Sequence, residues 1–223
     1  MARRKGLLLV VGSVILCAGV LVAYVAGVPP FEKRESISAS QVCGLYGKDR
    51  EQAAELIARV TPKAEEYSVR VHGFPRNRND YLSSCFINSF KMDADLTEVG
   101  KEETSSGAVP ERSPREWLRD VIRPDLTEAE MGRTRFRAGE WGVAGARMAA
   151  IYVPCVPPGH GDPWFHYLTV LVEAKDEPPS SEEESRQAMA ELAVLTARHA
   201  HEDAKCSLPS KLPKRAPRLG DGH

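Results

Sequence analysis

The longest hydrophobic stretch of the chain lies close to its amino terminus. Residues 6–28 read GLLLVVGSVILCAGVLVAYVAGV and contain no charged side chain. A helix of that length measures about 34 Å at roughly 1.5 Å per residue, which is enough to cross the hydrocarbon core of a bilayer. Residues 3–5 are all basic, whereas the four charges at residues 32–35 cancel. The positive-inside rule therefore predicts a single pass through the cell membrane, with the amino terminus inside and the rest of the chain outside.

Two other interpretations of this stretch compete with a membrane anchor. A cleaved secretory signal has an apolar region of about 7 to 15 residues before a small-x-small site. Here the run is longer, and its best site, Val25 to Gly27, lies at its very end. Acylation of Cys17 after cleavage needs a small residue before the cysteine, and Leu16 stands there. We therefore expect an uncleaved anchor that contacts the lipid bilayer through residues 6–28.

The pattern that follows is that of one helix and a hairpin. Asp49 is suited to cap a helix, and the apolar residues after it recur at helical spacing until Thr61 and Pro62 end the pattern. These apolar residues are Ala53, Leu56, Ile57 and Val60. Residues 65–74, EEYSVRVHGF, alternate between polar and apolar and predict a half-buried strand. Residues 81–90, YLSSCFINSF, predict the strand that returns beside it.

The second half of the chain predicts two more helices and three more strands. Residues 101–110, KEETSSGAVP, are polar and rich in turn residues, so we expect a connection between the two halves there. A capping box over residues 113–116 predicts a short helix. Strands are expected over residues 132–138, 141–156 and 164–175. Ser181 is expected to cap a last helix that runs to His199.

These elements together predict an α+β fold with a single transmembrane helix and one extracytoplasmic domain. In that domain an antiparallel sheet carries helices packed on one face. The expected organisation is a cytoplasmic tip and anchor (residues 1–28), a stalk (29–40), the α+β domain (41–209) and a disordered tail (210–223).

Four cysteines follow the predicted anchor: Cys43, Cys85, Cys155 and Cys206. An even number of thiols on an oxidising side of the membrane most simply forms disulfides, and four cysteines allow three pairings. Cys43 and Cys85 bracket one helix-plus-strand unit, and Cys155 and Cys206 bracket one hairpin-plus-helix unit, so we favour these two pairs. A structural zinc site needs close pairs such as C-x-x-C, which the sequence lacks, and we expect neither a metal nor another cofactor.

Composition and charge limit the classes of function. With 42% hydrophobic and 27% charged residues the chain has the composition of an ordinary folded protein. Its formal net charge of -1 lacks the basic signature of a dedicated nucleic-acid binder, so no nucleic acid is expected as a partner. The motifs G-x-S-x-G, H-E-x-x-H, G-x-x-x-x-G-K-[ST] and G-x-G-x-x-G are missing from the sequence, and we assign no catalytic residue.

Two groups of side chains are candidates for binding. The segment VPPGHGDPWF, residues 156–165, places His160, Asp162 and Trp164 between two strands, and an exposed tryptophan in such a loop anchors partners well. Arg133, Arg135 and Arg137 share one face of a strand and are suited to an anionic ligand. The plainer alternatives are a connection whose tryptophan folds back onto the core and a solvated sheet face.

The order of cysteines and elements is similar to that of small exported proteins of unknown function from actinobacteria. The resemblance covers roughly residues 41–209 and rests on VCGLYGKDREQAAELI, SSCFINSF, VPC before a strand and KCSLP after the last helix. It implies a disulfide-linked domain of mixed α and β structure tethered outside the membrane, sometimes compared with receptor-kinase sensor domains. No catalytic residues follow from it.

These features favour a non-enzymatic, membrane-tethered interaction or sensing domain of the cell envelope, with an envelope protein or polymer as its partner. The first alternative is an exported hydrolase that acts on envelope material through His160 and Asp162, or through a triad of distant residues, because triads are defined by geometry and not by order along the chain. The second alternative is a purely structural membrane protein.

Overall fold

The structure, a computed structural model, describes residues 17–22, 25, 35–73, 81–90, 96–108, 135–156 and 166–219. The chain divides into two compact units, Met1–Glu35 and Ser36–His223. In the first unit, residues 17–22 and 25 are helical and exposed. Within the described ranges, no helix has both the length and the apolar character needed to cross a membrane. The anchor over residues 6–28 lies largely outside these ranges and stays a prediction.

The second unit is built on a seven-stranded antiparallel sheet with the strand order β1-β2-β3-β7-β6-β5-β4. The strands are β1 (Glu66–Gly73), β2 (Leu82–Phe90), β3 (Leu96–Ala108), β4 (Arg135–Phe136), β5 (Trp141–Ala144), β6 (Met148–Pro154) and β7 (His166–Ala174). The helices are α1 (Arg50–Val60) and α2 (Glu182–Asp203), and 3-10 segments at Ala39–Gln41 and Gly44–Asp49 precede α1. The predicted α+β class with an antiparallel sheet is confirmed.

The core lies between one face of the sheet and the two helices. Alternate side chains of β6 and β7 point into it, and four of them are fully buried: Ile151, Val153, Leu168 and Val170. Each such side chain contributes about 1.5–3 kcal/mol by leaving water. Five of the eleven buried residues of α2 are alanines, and these small side chains allow the helix to pack closely.

The long helix α2 begins as predicted and ends later. The Ser181 hydroxyl accepts a hydrogen bond from the Glu184 amide while the Glu184 carboxylate receives one from the Ser181 amide, so the capping box is complete. The hydrogen bonds from Ser181 lower the pKa of Glu184. The helix continues to Asp203, four residues beyond the expected end at His199.

The polar connection predicted over residues 101–110 is wrong. Residues 96–108 form β3, which pairs with β2 on one side and β7 on the other. A central strand receives backbone hydrogen bonds from both neighbours, and this pairing outweighs the weak strand preference of its own residues.

The long strand predicted over residues 141–156 is a hairpin of β5 and β6. The chain turns at residues 145–147, where the Gly145 amide donates to the carbonyl of Met148 at 2.7 Å. Gly145 was the local signal for this turn, since glycine inside a strand pattern commonly marks a bend or break.

The boundary between the stalk and the domain lies earlier in the chain than expected. Ile37 is only 5% exposed and packs in the core, so the folded unit begins at Ser36 and not at Gln41.

The two favoured disulfides are both present. Cys43 is joined to Cys85 and Cys155 to Cys206, with Cα–Cα distances of 6.1 and 4.7 Å. The first bond ties the segment before α1 to β2, and the second ties the end of β6 to the residues after α2. They span 42 and 51 residues. Each contributes about 2–4 kcal/mol, chiefly by restricting the unfolded chain.

We expect Gly139→Ala to lower the free energy of unfolding by about 2 kcal/mol or more. Gly139 has a φ of 62°, and a Cβ there would collide with the backbone carbonyl of Tyr152, so left-handed strain and a backbone clash add. Urea unfolding of the detergent-solubilised chain measures the change. Gly44→Ala is the control, because its Cβ would meet only the end of the Arg50 side chain at 3.5 Å. Equal stability of the two variants would contradict this account.

Candidate functional site

Two of the six predicted binding residues are described by the structure. Arg135 and Arg137 are both exposed. The other four, Arg133, His160, Asp162 and Trp164, lie outside the described residues.

The sheet register places Arg137 toward one end of the sheet and Arg135 two residues further in, opposite Val143. Trp141 of β5 pairs with Tyr152 of β6, and Pro154 at the end of β6 pairs with Tyr167 of β7. Arg137 follows β4, whose Phe136 pairs with Gly142 next to Trp141. Pro154 and Tyr167 thus mark the same end of the sheet, and residues 157–165 lie between them in the sequence. Arg137 lies toward this end of the sheet.

An aromatic row, which we define as Arg135, Trp141, Tyr152 and Tyr167, crosses the sheet face opposite the helices. The guanidinium of Arg135 lies 4.9 Å from the ring centre of Trp141. The rings of Tyr152 and Tyr167 stack at 4.2 Å with an interplanar angle of 13°. Tyr152 is 5% exposed, so the centre of the row is closed to solvent. The end with Arg135 and Trp141 is the accessible part.

This arrangement changes what Arg135 can do. A guanidinium above an indole gains about 0.5–1 kcal/mol at an exposed site, so the contact keeps the exposed Arg135 side chain beside Trp141. Arg135 is thus positioned for a planar anionic or polar group.

Asp49 and His199 form a second polar contact of interest. Asp49 stands at the cap position of α1 but its side chain makes no capping hydrogen bond. The His199 ring donates from Nε2 to Asp49 Oδ2 at 3.0 Å, and the edge of the Tyr46 ring packs against it. Tyr46 also bonds to Thr196 through their hydroxyls at 2.9 Å. These contacts tie the start of α1 to α2 and use the histidine as a structural link, beside a cavity of about 510 Å³.

His201 belongs to a cluster around the second disulfide, which we call the disulfide clamp and define as Cys155, Val156, His201, Cys206 and Ser207. The His201 Nε2 donates to the carbonyl of Leu208 at 3.0 Å. The Cys206 amide donates to the His201 carbonyl at 3.1 Å, and the Ser207 amide donates to the Val156 carbonyl at 3.1 Å. The clamp therefore joins the end of β6, the end of α2 and the residues that follow α2.

Burial lowers the pKa of His201, and the carbonyls of Leu208 and Pro154 offset part of this effect. His199 and His201, which are two positions apart on α2, thus bond to different elements. Among the described residues, no group of three or more histidine, cysteine, aspartate or glutamate side chains is arranged to hold a metal ion.

The free tail predicted over residues 210–223 is wrong for residues 210–219, which lie against the domain. We call residues 206–219 the C-terminal strap. Leu212, Ala216 and Leu219 are half-buried and pack on the core. The apolar contacts and the disulfide at Cys206 together hold the strap in place.

Hydrogen bonds show that the strap runs antiparallel to α2. Successive residues of the strap meet residues ever closer to the start of the helix: Leu208 meets His201, Lys214 meets Arg198, and Pro217 and Leu219 both meet Gln187. The Lys211 carbonyl accepts from the Gly139 amide at 3.3 Å, and the Lys211 ammonium pairs with Glu140. The strap thus bridges α2 and the turn before β5.

The sequence feature that marks the strap is a four-residue repeat, which is typical of neither a helix nor a strand. Residues 208–219 read LPSK, LPKR and APRL, with an apolar residue and then proline opening each unit. The opening apolar residues are half-buried, whereas Lys211, Lys214, Arg215 and Arg218 are exposed. A period of four fits neither a strand nor, because of the prolines, a helix.

No family model, curated protein or solved structure matches this chain. The resemblance to exported actinobacterial proteins therefore stays an expectation from the sequence.

We expect His201 to make the stability of the domain pH-dependent. Because its folded pKa is lower than the ordinary value of about 6.5, the unfolded state binds more protons between the two values. The contribution is fully present above about pH 6.5 and is lost as the pH falls through the folded pKa. The free energy of unfolding should therefore fall less steeply from pH 7.5 to pH 5 in His201→Gln than in the unchanged chain, as measured by urea titrations. His72→Gln, which removes an exposed imidazole, is the control. Parallel curves for the His201 variant and the unchanged chain would contradict the assignment.

Proposed function

We propose that this chain is a non-enzymatic interaction or sensing domain of the cell envelope, tethered outside the membrane by its amino-terminal anchor. The observation that carries the proposal is the pairing of all four cysteines after residue 28 into two disulfides. Such bonds persist in oxidising compartments and are rare in cytosol. The uncharged run at residues 6–28 supports a location next to the membrane.

The accessible end of the sheet is the surface we assign to a partner. Arg135 contacts Trp141, and Arg137 is exposed just after β4. Residues 157–165, which include His160, Asp162 and Trp164, lie in the sequence between β6 and β7, and loops on a sheet framework commonly carry recognition. The disulfide clamp at Cys155 supports the same end of β6.

The two histidines of α2 link elements of the described fold. His199 bonds to Asp49 and His201 bonds to a backbone carbonyl, so both rings serve to connect elements. The hydrolase alternative drew on His160 and Asp162, which lie outside the described residues, or on a triad of distant residues.

We expect Arg135→Ala combined with Arg137→Ala to reduce recovery of a specific partner by about tenfold. The two substitutions remove a guanidinium that contacts Trp141 and a second exposed cation, and a tenfold loss corresponds to about 1.4 kcal/mol. The measurement is co-purification of the tagged, full-length protein in mild detergent, with quantitative mass spectrometry of the companions. Arg70→Ala with Arg147→Ala is the matched control, since both of these arginines are exposed elsewhere on the domain.

Two results would overturn the proposal. One is the recovery of no specific companion by the unchanged protein under mild conditions. The other is a cytosolic location with cysteines that a maleimide alkylates before any reductant is added.

A further inference from the structure

We propose that the C-terminal strap and the adjoining face of α2 bind a linear envelope polymer that carries repeating phosphate groups. The binding residues are Arg198, Lys214, Arg215 and Arg218. This inference rests on the proposed function, because it places the strap outside the membrane, and it adds the chemical class of a ligand.

The strap contains several basic residues and no acidic residue that could neutralise them within the segment. Residues 206–219, CSLPSKLPKRAPRL, hold four basic residues and no acidic one. In the described part of the chain, Lys211 forms an ion pair with Glu140, whereas the four proposed binding residues have no carboxylate within ion-pair distance. Their charges are therefore available to a ligand.

The packing of the strap fixes the direction of these charges. Leu212 and Ala216 face the core, and the basic residues between and after them are exposed. The Arg198 side chain reaches the carbonyl of Lys214 at 3.5 Å, which brings a cation of α2 beside those of the strap. The result is an ordered row in place of a flexible basic tail.

The row is long and linear. The strap follows α2 from His201 back to Gln187, and the 14 residue steps between these two positions of the helix span about 21 Å at roughly 1.5 Å per step. Charges spread along such a line match the repeating charges of an extended chain better than they match the charge of one compact anion. Arginine contributes planar, bidentate hydrogen bonds that suit phosphate oxygens.

Two features favour a polymer over a folded acidic protein. The apolar residues of the strap face inward and offer no anchor of the kind that dominates protein interfaces. Acidic side chains limit the row at one end, where Glu183 and Glu184 line a cleft together with Arg59 and Arg218. A flexible polymer can follow the basic part as far as Arg218 and end before the two glutamates.

The test measures binding of inorganic polyphosphate to the full-length protein in phosphatidylcholine nanodiscs. We expect Lys214→Glu, Arg215→Glu and Arg218→Glu together to weaken binding at least tenfold. Binding of the unchanged protein should also fall steeply as salt is raised, because the contacts are exposed charges. The matched control is Arg50→Glu, Arg70→Glu and Arg147→Glu, which changes the net charge equally at other positions. Circular dichroism verifies that both variants are folded.

Three results would overturn the inference: no binding of polyphosphate by the unchanged protein, an equal loss in the control variant, or a charge-reversal effect seen only with phosphatidylglycerol vesicles. The last result would assign the row to lipid headgroups. If polyphosphate does not bind while a partner is still recovered through Arg135 and Arg137, only the strap inference fails. If the cysteines are reduced and cytosolic, the proposed function fails whatever the polymer result.

Discussion

The disulfide between Cys155 and Cys206 is the constraint on which the position of the C-terminal strap depends. It joins the last residues of β6 to the chain just after α2, and hydrogen bonds of His201 and Ser207 reinforce it on both sides. Without this bond, only half-buried contacts and a few hydrogen bonds would hold the strap to the domain. One covalent link thus positions the helix end, the sheet end and the strap.

Both proposed binding surfaces are extensions of this framework. At the sheet end, the clamp supports β6, and residues 157–165 follow β6 in the chain. Trp141, which pairs with Tyr152 of β6, contacts Arg135. On the other side, the clamp starts the strap along α2 and so aligns Lys214, Arg215 and Arg218. The functional proposals therefore concern exposed cations whose direction is set by buried apolar contacts and a disulfide.

Elements with a strong local pattern were predictable from the sequence. The buried stripe of α1 and the capping box at Ser181 each depend on near neighbours in the chain. The two disulfides span 42 and 51 residues and were predicted because each pair brackets one unit of helix and strands. β3 was not predictable, since two partner strands and not its own side chains determine its conformation. The strap was not predicted because its sequence repeats every four residues, which is the period of neither a strand nor a proline-containing helix. Of the candidate site, Arg135 and Arg137 were identified as exposed cations, but the indole contact of Arg135 depends on strand pairing.

Hydrogen–deuterium exchange of the Cys155→Ser, Cys206→Ser variant tests the central role of the disulfide clamp most directly. Amides in the strap, including that of Leu219, which donates to Gln187, should lose protection, while those in the middle of α2 keep it because that part of the helix is buried against the sheet. The Cys43→Ser, Cys85→Ser variant should leave protection of the strap unchanged. Retention of full strap protection after loss of the Cys155–Cys206 bond would contradict the account.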